Sequence, residues 1–281
     1  MKTTITAIIL LLLCYSVSQA QQESLSEINR RLENPLTSLW SLTFQENFSI
    51  LKGDQIDTEY ANNFFFQPFL PIPIGSDFLF AARPVIPLVT NAILIPDSNN
   101  EIQRTGSKTG LGDIQLLSFL GPNRKDGIVW GAGATLKFPT ATDDVLGEGK
   151  YQAGPAAMLF NMGKRWTVGL LAQHWWSYAG DSDRPKTNET NIQYVIRRQI
   201  PGAMSLGMGP TVAIDWEEDS GNQITLPVGL GLTKTVRIGK TPVKLRFEPQ
   251  YSIIRPDDLG AEWNFRIQIS PVIQSPFKRN N

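Results

Sequence analysis

The chain has 281 residues, with 26 basic and 26 acidic side chains, one histidine and one cysteine. This balance excludes a bulk electrostatic attraction to nucleic acid, and no nucleic-acid partner is expected. The 23 glycines and 19 prolines are more than helical proteins carry, which favours a chain of strands and turns.

The N-terminus has the pattern of a secretory signal. Lys2 precedes an apolar run over residues 5–13, and Ser18 and Ala20 are small residues placed like a cleavage motif. We predict a signal peptide over residues 1–20. Its removal leaves 25 basic against 26 acidic residues, because Lys2 is its only charged residue.

The only cysteine, Cys14, is removed with that signal. A second interpretation makes Cys14 the lipid acceptor of a lipoprotein, but the bulky Leu13 before it disfavours this. An exported chain without cysteine forms no disulfide and binds no metal through thiolates, and we expect no metal and no cofactor. No run of 18 or more apolar residues follows residue 20, so a helical membrane span is excluded.

Residues 21–36 are predicted to form a short N-terminal helix or leader on the periplasmic side. Leu25, Ile28 and Leu32 recur at helical spacing, and Pro35 ends the pattern. Two placements remain open, a loosely docked leader and a plug inside the pore. The general mobility of chain termini favours the leader.

From residue 37 the apolar period changes to two residues. Over residues 128–138 the even positions are apolar, and the odd positions, apart from Val129, are small or polar. A tilted strand of this length rises about 25 Å, the height of the apolar band of an outer-membrane barrel. Twelve such strands are predicted, at residues 37–50, 60–70, 77–89, 110–120, 128–138, 150–160, 164–177, 190–198, 203–216, 223–235, 242–254 and 261–271.

These segments predict an all-β fold, a transmembrane antiparallel β-barrel of about twelve strands over residues 37–273, followed by a tail over residues 274–281. The longest polar link is predicted at residues 90–109, and Pro84 and Pro87 are predicted at bulges or strand ends. The apolar faces are expected to meet lipid, because a soluble barrel of this size encloses a cavity too wide for side chains to fill. Six tryptophans near segment ends fit aromatic girdles, Trp40, Trp130, Trp166, Trp176, Trp216 and Trp263.

The opposite faces carry charges that are expected to line the pore. One hypothesis is a mildly anion-favouring constriction, since rings of basic side chains set pore selectivity. The other, which is favoured, is that the charges pair across neighbouring strands and fill the lumen. The predicted pore-lining residues are Arg83, Asp113, Lys137, Arg197, Asp215, Lys244, Arg246, Glu248 and Arg266.

Two further chemistries are disfavoured by spacing. His174 with Ser177 is the single candidate pair for a hydrolase, but residues three apart on a strand point to opposite faces. Asp143, Asp144 and Glu148 offer carboxylates for Ca²⁺, but their spacing matches no EF-hand loop, and a solvated acidic loop is favoured. No catalytic residue and no metal site is predicted.

Several motifs resemble a family of bacterial outer-membrane β-barrel transporters that is linked by name to the meta-pathway of phenol degradation and is often mislabelled neuromedin U. They are NPLTSLWSL at 34–42, GLGDI at 110–114, FPTATDDVLGEGK at 138–150, AGPAAM at 153–158 and WSYAGD at 176–181, and the resemblance covers residues 34–273. The C-terminus departs from the usual barrel ending, because four residues follow Phe277. The resemblance implies a transport protein for small hydrophobic or aromatic compounds and brings no catalytic residues.

The expected function is therefore a channel of the bacterial outer membrane, and not an enzyme. A small-molecule solute is expected to diffuse passively through a partly charged lumen. The expected partners are outer-membrane lipid, the solute and the outer-membrane assembly machinery, with the protein as a monomer. The alternative is a structural or adhesion barrel with a closed lumen and partner-binding loops, and an outer-membrane hydrolase is a remote third.

Overall fold

The computed structural model describes residues 24–54, 56, 58–96 and 102–275. The predicted signal peptide and the end of the predicted tail lie outside this part of the chain. One short helix, α1 (Leu25–Arg31), comes first, with Ser24 as its N-cap. The strands are β1 (Trp40–Lys52), β2 (Glu59–Ile74), β3 (Phe78–Pro96), β4 (Ile102–Leu111), β5 (Ile114–Pro122), β6 (Gly127–Phe138), β7 (Lys150–Met162), β8 (Trp166–Gly180), β9 (Asn188–Ile200), β10 (Met204–Met208), β11 (Thr211–Asp215), β12 (Ile224–Gly229), β13 (Gly231–Ile238), β14 (Thr241–Ile254) and β15 (Gly260–Ile273), with a 3₁₀ turn at Asp144–Leu146.

The strands form one closed antiparallel barrel. Three strands are interrupted, so that β4 and β5, β10 and β11, and β12 and β13 each act as a single strand against shared neighbours. Each strand pairs with its neighbours in chain order, and β1 closes the ring by pairing with β15 from Trp40↔Ile273 to Lys52↔Gly260. The predicted twelve-stranded antiparallel barrel is thereby confirmed. No helix in the described residues is long and apolar enough to cross a membrane.

The predicted polar link at residues 90–109 is largely a β-hairpin. Strand β3 continues to Pro96, and β4 begins at Ile102 and pairs with it from Leu88↔Leu111 to Pro96↔Ile102. Polar side chains do not end a strand whose backbone groups still find partners in the ladder. Residues 92–95 are apolar and continue β3, and the polar residues 102–109 of β4 pair with this part of the strand, so polar sequence does not mark a strand end here.

The two prolines of β3 differ in their surroundings. Val85 pairs with Gln115 of β5, and Leu88 pairs with Leu111 of β4. Between these two pairs lie two residues of β3, 86–87, and three residues of the opposite strand, 112–114. Pro87 lies at this shift in register, as predicted.

The bulge prediction is wrong for Pro84, which pairs with Leu116 in an unshifted register. The ladder to β2 has no pair between Phe66↔Ile86 and Leu70↔Ala82. Because Pro84 lies within this gap, its missing N–H costs no bond to β2.

The outer wall of the barrel is apolar, as predicted. Leu159 is 57% exposed, Leu170 is 52% exposed and Phe247 is 50% exposed. The six girdle tryptophans fall into two groups of three. Trp40, Trp130 and Trp166 lie near the end of the barrel that carries both chain termini, and Trp176, Trp216 and Trp263 lie near the opposite, loop end.

The inner wall is only partly hydrophilic, which corrects the expectation of a polar lumen throughout. A buried apolar cluster lies inside, on the wall formed by β3 and β5 to β9, and includes Leu36 from the segment before β1. An inward-facing side chain meets water only where the lumen is open. At this wall Leu36 and the residues around it fill the lumen, so the inward-facing side chains can be apolar. The cluster consists of Leu36, Leu79, Ala81, Leu117, Phe119, Val129, Ala156, Met158, Phe160, Met162, Leu171 and Val195.

The N-terminal segment (residues 24–39) lies against the inner wall at the terminal end. Asn29 is fully buried, donates to Gln199 Oε1 at 3.1 Å and accepts from Thr235 Oγ1 at 2.8 Å. Asn34 donates to the backbone carbonyl of Arg124 at 3.0 Å. The favoured interpretation of a loosely docked leader is therefore wrong, because the buried Asn29, Arg30, Glu33 and Asn34 each bond to a partner on the barrel.

Candidate functional site

A cavity of about 150 Å³ lies inside the barrel, next to the N-terminal segment. Basic side chains form one side of the lining and apolar side chains another, and neutral polar side chains, among them Gln45, Gln67, Gln193 and Gln268, lie beside them. A concave space that combines apolar surface with groups able to orient a ligand is typical of small-molecule sites. The basic residues are Arg83, Arg197, Lys244, Arg246 and Arg266, and the apolar ones include Phe69, Ala81, Leu117, Phe119, Phe160, Leu171 and Val195.

Glu248 lies at the centre of the basic side and is fully buried. Its Oε2 accepts from Arg246, with the Nε at 3.0 Å, and lies 3.8 Å from Arg197 Nη2. Its Oε1 accepts from Gln250 Nε2 at 2.7 Å and from the backbone N–H of Gly209 at 3.1 Å. Both oxygens are thus engaged, as a buried carboxylate requires.

The backbone at Gly209 takes part in this network because the strand is interrupted there. Its carbonyl accepts from Arg266 Nη1 at 2.9 Å and from Gln193 Nε2 at 3.0 Å. A Cβ at this position would lie 2.7 Å from Arg197 Nη2, so only glycine fits without displacing that guanidinium. The break between β10 and β11 therefore supplies both a donor and an acceptor to the charged side of the cavity.

The N-terminal segment contributes its own carboxylate, Glu33. Its Oε2 accepts from Gln199 Nε2 at 2.7 Å, its Oε1 accepts from the hydroxyl of Ser205, and Arg197 Nη1 lies 3.8 Å away. Lys244 Nζ donates to the carbonyl of Leu32 at 3.0 Å. The segment is therefore held in the barrel by the same cationic side chains that line the cavity.

Arg83 differs from the other cations of the cavity. Its Nε is enclosed but donates to no acceptor, and no carboxylate of the described residues lies within ion-pair distance of it. Five cations therefore face two carboxylates, Glu33 and Glu248, in this part of the barrel. The site carries an excess of positive charge, and the excess is least compensated at Arg83.

The remaining predicted pore residues lie nearer the loop end. Lys137 is 5% exposed and pairs with Glu148 at 2.8 Å and Glu189 at 2.9 Å. Its ammonium also lies 5.4 Å from the ring centre of the buried Trp175. Asp215 lies at the rim, where its Oδ1 accepts from the backbone N–H of Glu217 at 3.0 Å.

Asp113 holds the loop at residues 139–149. Its Oδ1 accepts from the N–H of Ala141 at 3.1 Å, and its Oδ2 accepts from the N–H of Glu148 at 2.7 Å. A Cβ at Gly147 would lie 2.6 Å from Asp113 Oδ1, so the absence of a side chain there allows the close approach. Asp113 thus belongs to the loop and lies apart from the basic cavity.

Neither of the two disfavoured chemistries is assembled by the described residues. His174 lies on the outer wall and contacts Thr190 Oγ1 through Nδ1 at 2.7 Å, whereas Ser177 accepts from the N–H of Thr187 at 2.9 Å. Asp143 pairs with Lys108 at 2.8 Å, and this hydrogen bond lowers the pKa of the Asp143 carboxyl. No group of three potential metal ligands converges in the part of the chain that the structure describes.

Several residues of the site were not predicted from the sequence. Glu33 and Asn29 fall in a segment predicted as a leader, and Gly209 contributes through its backbone, which no side-chain pattern reveals. The Gly209–Pro210 dipeptide was a usable signal, because proline inside a strand requires an interruption.

The comparisons with solved structures agree with the barrel. An outer-membrane channel of Pseudomonas putida F1 is similar over 84% of this chain and 94% of that one, with 14% identity and a TM-score of 0.61. The β domain of the Bordetella autotransporter BrkA covers 84% of this chain and all of that one at 10% identity and a TM-score of 0.46. The similarity to a Pseudomonas aeruginosa FadL homologue extends over 86% of this chain and 93% of that one, with 8% identity and a TM-score of 0.39. No family model and no curated protein matches the chain. At 14% identity the likeness to the first of these structures shows the fold alone, which is that of an outer-membrane barrel, and that structure is a channel.

The unequal pairing of the charges predicts opposite effects of two substitutions on stability. Glu248→Gln removes the charge that compensates Arg197 and Arg246, and is expected to lower the free energy of unfolding by about 3 kcal/mol. Arg83→Met removes an uncompensated cation, and is expected to raise it by about 1 kcal/mol. Urea titrations of the detergent-folded protein, followed by tryptophan fluorescence, measure both. Destabilisation by Arg83→Met would contradict the unpaired state of this side chain.

The clamp formed by Asp113 predicts a local effect at the loop end. Asp113→Ala leaves the N–H groups of Ala141 and Glu148 without their acceptor, which costs about 1–3 kcal/mol for each unsatisfied buried group. The loop at residues 139–149 is expected to become cleavable by added protease, while the barrel stays intact on gels. Asp144→Ala, which removes a carboxylate of the same loop, is the control and should leave cleavage unchanged.

Proposed function

We propose that this protein is a channel of the bacterial outer membrane that passes small molecules. The observation that carries the proposal is a closed twelve-stranded barrel with an apolar outer wall around a cavity of mixed charge and aromatic lining. Lipid cannot satisfy free backbone groups, and a barrel without edges is one of the two structures that can span it. Outer-membrane lipid and the barrel assembly machinery are the partners that this function requires, and the barrel acts as a monomer.

The apolar side of the cavity supports solutes that are hydrophobic or aromatic. Phe69, Phe119 and Phe160 offer ring contacts, and Leu117 and Leu171 extend the apolar surface. The resemblance to the phenol-degradation family leads to the same solute class. Passive diffusion along the lumen, through the cavity, is the proposed mode.

The N-terminal segment is proposed as the gate of this channel. It bounds the cavity at the terminal end, so a solute that passes along the axis has to displace it. Its polar attachment includes hydrogen bonds at Asn29, Glu33 and Asn34, the hydrogen bond from Lys244 to the Leu32 carbonyl and the ion pair of Arg30 with Asp126, in addition to the packing of Leu36. Because each polar contact contributes only about 0.5–1.5 kcal/mol net, removing a few of them is expected to raise the population of an open state.

Planar-bilayer recording tests the channel and its gate together. The wild-type protein is expected to give discrete, reproducible conductance steps. Asn29→Ala with Glu33→Gln removes two of the polar attachments, and is expected to raise the open fraction about tenfold. Ser26→Ala is the control, because Ser26 lies on the same segment with its side chain exposed. An unchanged open fraction in the double variant would remove the segment as the gate.

A structural or adhesion barrel is the second candidate, and one observation favours it. The terminal end of the lumen is filled by residues 24–39, and the loop end carries the ordered loop that Asp113 holds. A silent bilayer containing protein that is shown to be folded and inserted supports this candidate over the channel.

The charge excess predicts an ion preference. The wild-type channel is expected to prefer anions, because cations outnumber carboxylates around the cavity. Lys244→Ala with Arg246→Ala should shift the reversal potential under a salt gradient towards cations. Arg104→Ala with Arg198→Ala removes the same net charge from positions outside the cavity and serves as the control. Equal ion preference in all three proteins would show that the charges serve only to fill the lumen.

A further inference from the structure

We propose that the cavity binds an amphipathic monoanion, a carboxylate carried by an apolar ring or short chain, with Arg83 as the residue that receives the carboxylate. The inference rests on the proposed channel function for the route by which the solute arrives, and it narrows the solute class beyond hydrophobic compounds in general. Its basis is the side-by-side placement of an uncompensated guanidinium and an apolar wall.

The first argument is the state of the charges. Glu248 already accepts from Arg246, Gln250 and the backbone of Gly209. Glu33 already accepts from Gln199 and Ser205. No carboxylate of the cavity is left to approach Arg83, whose Nε stays without an acceptor. A half-buried guanidinium that has lost water without gaining an acceptor is costly, and a carboxylate that meets it from the cavity lowers that cost.

The second argument is the surroundings of Arg83 on the inner wall. Leu117 is its direct partner across β5, and Ala81 is the neighbouring inward residue on its own strand. Phe69 of β2 lines the same cavity and packs against the apolar cluster. The planar guanidinium matches a carboxylate with two parallel hydrogen bonds, and the groups around it suit a hydrocarbon body.

The two sides together exclude simpler ligands. A neutral aromatic compound gains the apolar contacts but leaves Arg83 unpaired. A small inorganic anion can pair with Arg83 and with the neutral polar groups of the cavity, but it gains nothing from the apolar residues of the lining. A single negative charge at the end of an apolar group satisfies both sides of the cavity at once.

Three probes of matched chemistry test the proposal on the mature protein in a neutral maltoside detergent at pH 7.5. Benzoate carries the ring and the charge, benzyl alcohol carries the ring alone, and acetate carries the charge alone. Isothermal titration calorimetry is expected to give saturable binding of benzoate that is at least about tenfold tighter than that of either other probe, because a hydrogen bond to a charged group contributes about 1.5–3 kcal/mol.

Arg83→Met is the decisive variant, because it keeps the length of the side chain and is expected to fold at least as stably as wild type. It should weaken benzoate binding at least about tenfold and leave benzyl alcohol unchanged. Arg198→Met is the control, since Arg198 lies on the outer wall next to Trp166 and faces away from the cavity. Arg83→Lys should retain part of the affinity, because the charge remains and the two-pronged geometry is lost.

Every other outcome overturns the assignment. Equal affinity of benzoate and benzyl alcohol shows an apolar site without an anion receptor, and equal affinity of benzoate and acetate shows a general anion site. Benzoate binding that survives Arg83→Met places the carboxylate elsewhere. Failure here is distinct from failure of the channel, because conductance steps without benzoate binding leave the channel in place, and benzoate binding in a silent bilayer leaves the site in place.

Discussion

The closure of the sheet between β1 and β15 is the constraint on which the rest of the structure depends. Each of the twelve barrel strands then has two neighbours, and among the described residues an unpaired edge is left on the β3–β4 hairpin, which extends beyond the ring. In hydrocarbon that requirement is absolute, because no water is present to bind an unpaired group. Once the ring is closed, the period of two in each strand divides the side chains into an outer set and an inner set. The outer set is mainly apolar, and the inner set is free to vary.

Twelve strands enclose more space than inward side chains can fill, and the chain fills part of it with its own N-terminus. The inner wall is divided to match. Where Leu36 docks, the wall is apolar, and where Asn29 and Glu33 dock, it offers Gln199, Ser205 and Thr235. Packing and hydrogen bonds therefore hold one segment from two sides. The cavity is the space that the N-terminal segment leaves unfilled. Its lining is mixed because it lies where the apolar and the polar parts of the inner wall meet.

The strand number, the outward face and the inward charges follow from the two-residue period, because a barrel imposes that period on every strand. The positions of strand ends follow less well. Residues 102–109 are polar enough to suggest a link, but the hairpin ladder continues there, since hydrogen bonding depends on the backbone. Contacts between distant parts of the chain are beyond such reasoning. The pairing of Glu33 with Ser205, or of Glu248 with the backbone of Gly209, depends on closure, which a local pattern does not describe.

The charged residues of the inner wall are of two kinds, and the difference bears on function. Arg197, Arg246 and Arg266 each have an acceptor within the protein, so their role in holding the barrel accounts for them. Arg83 has none, and its surroundings are the apolar residues of the same wall. A sequence selected for stability alone would replace such a side chain with an apolar one of similar length. Proteins keep a buried charge without a partner mainly at functional sites. The charge on Arg83 is therefore best explained by an anionic ligand that pairs with it.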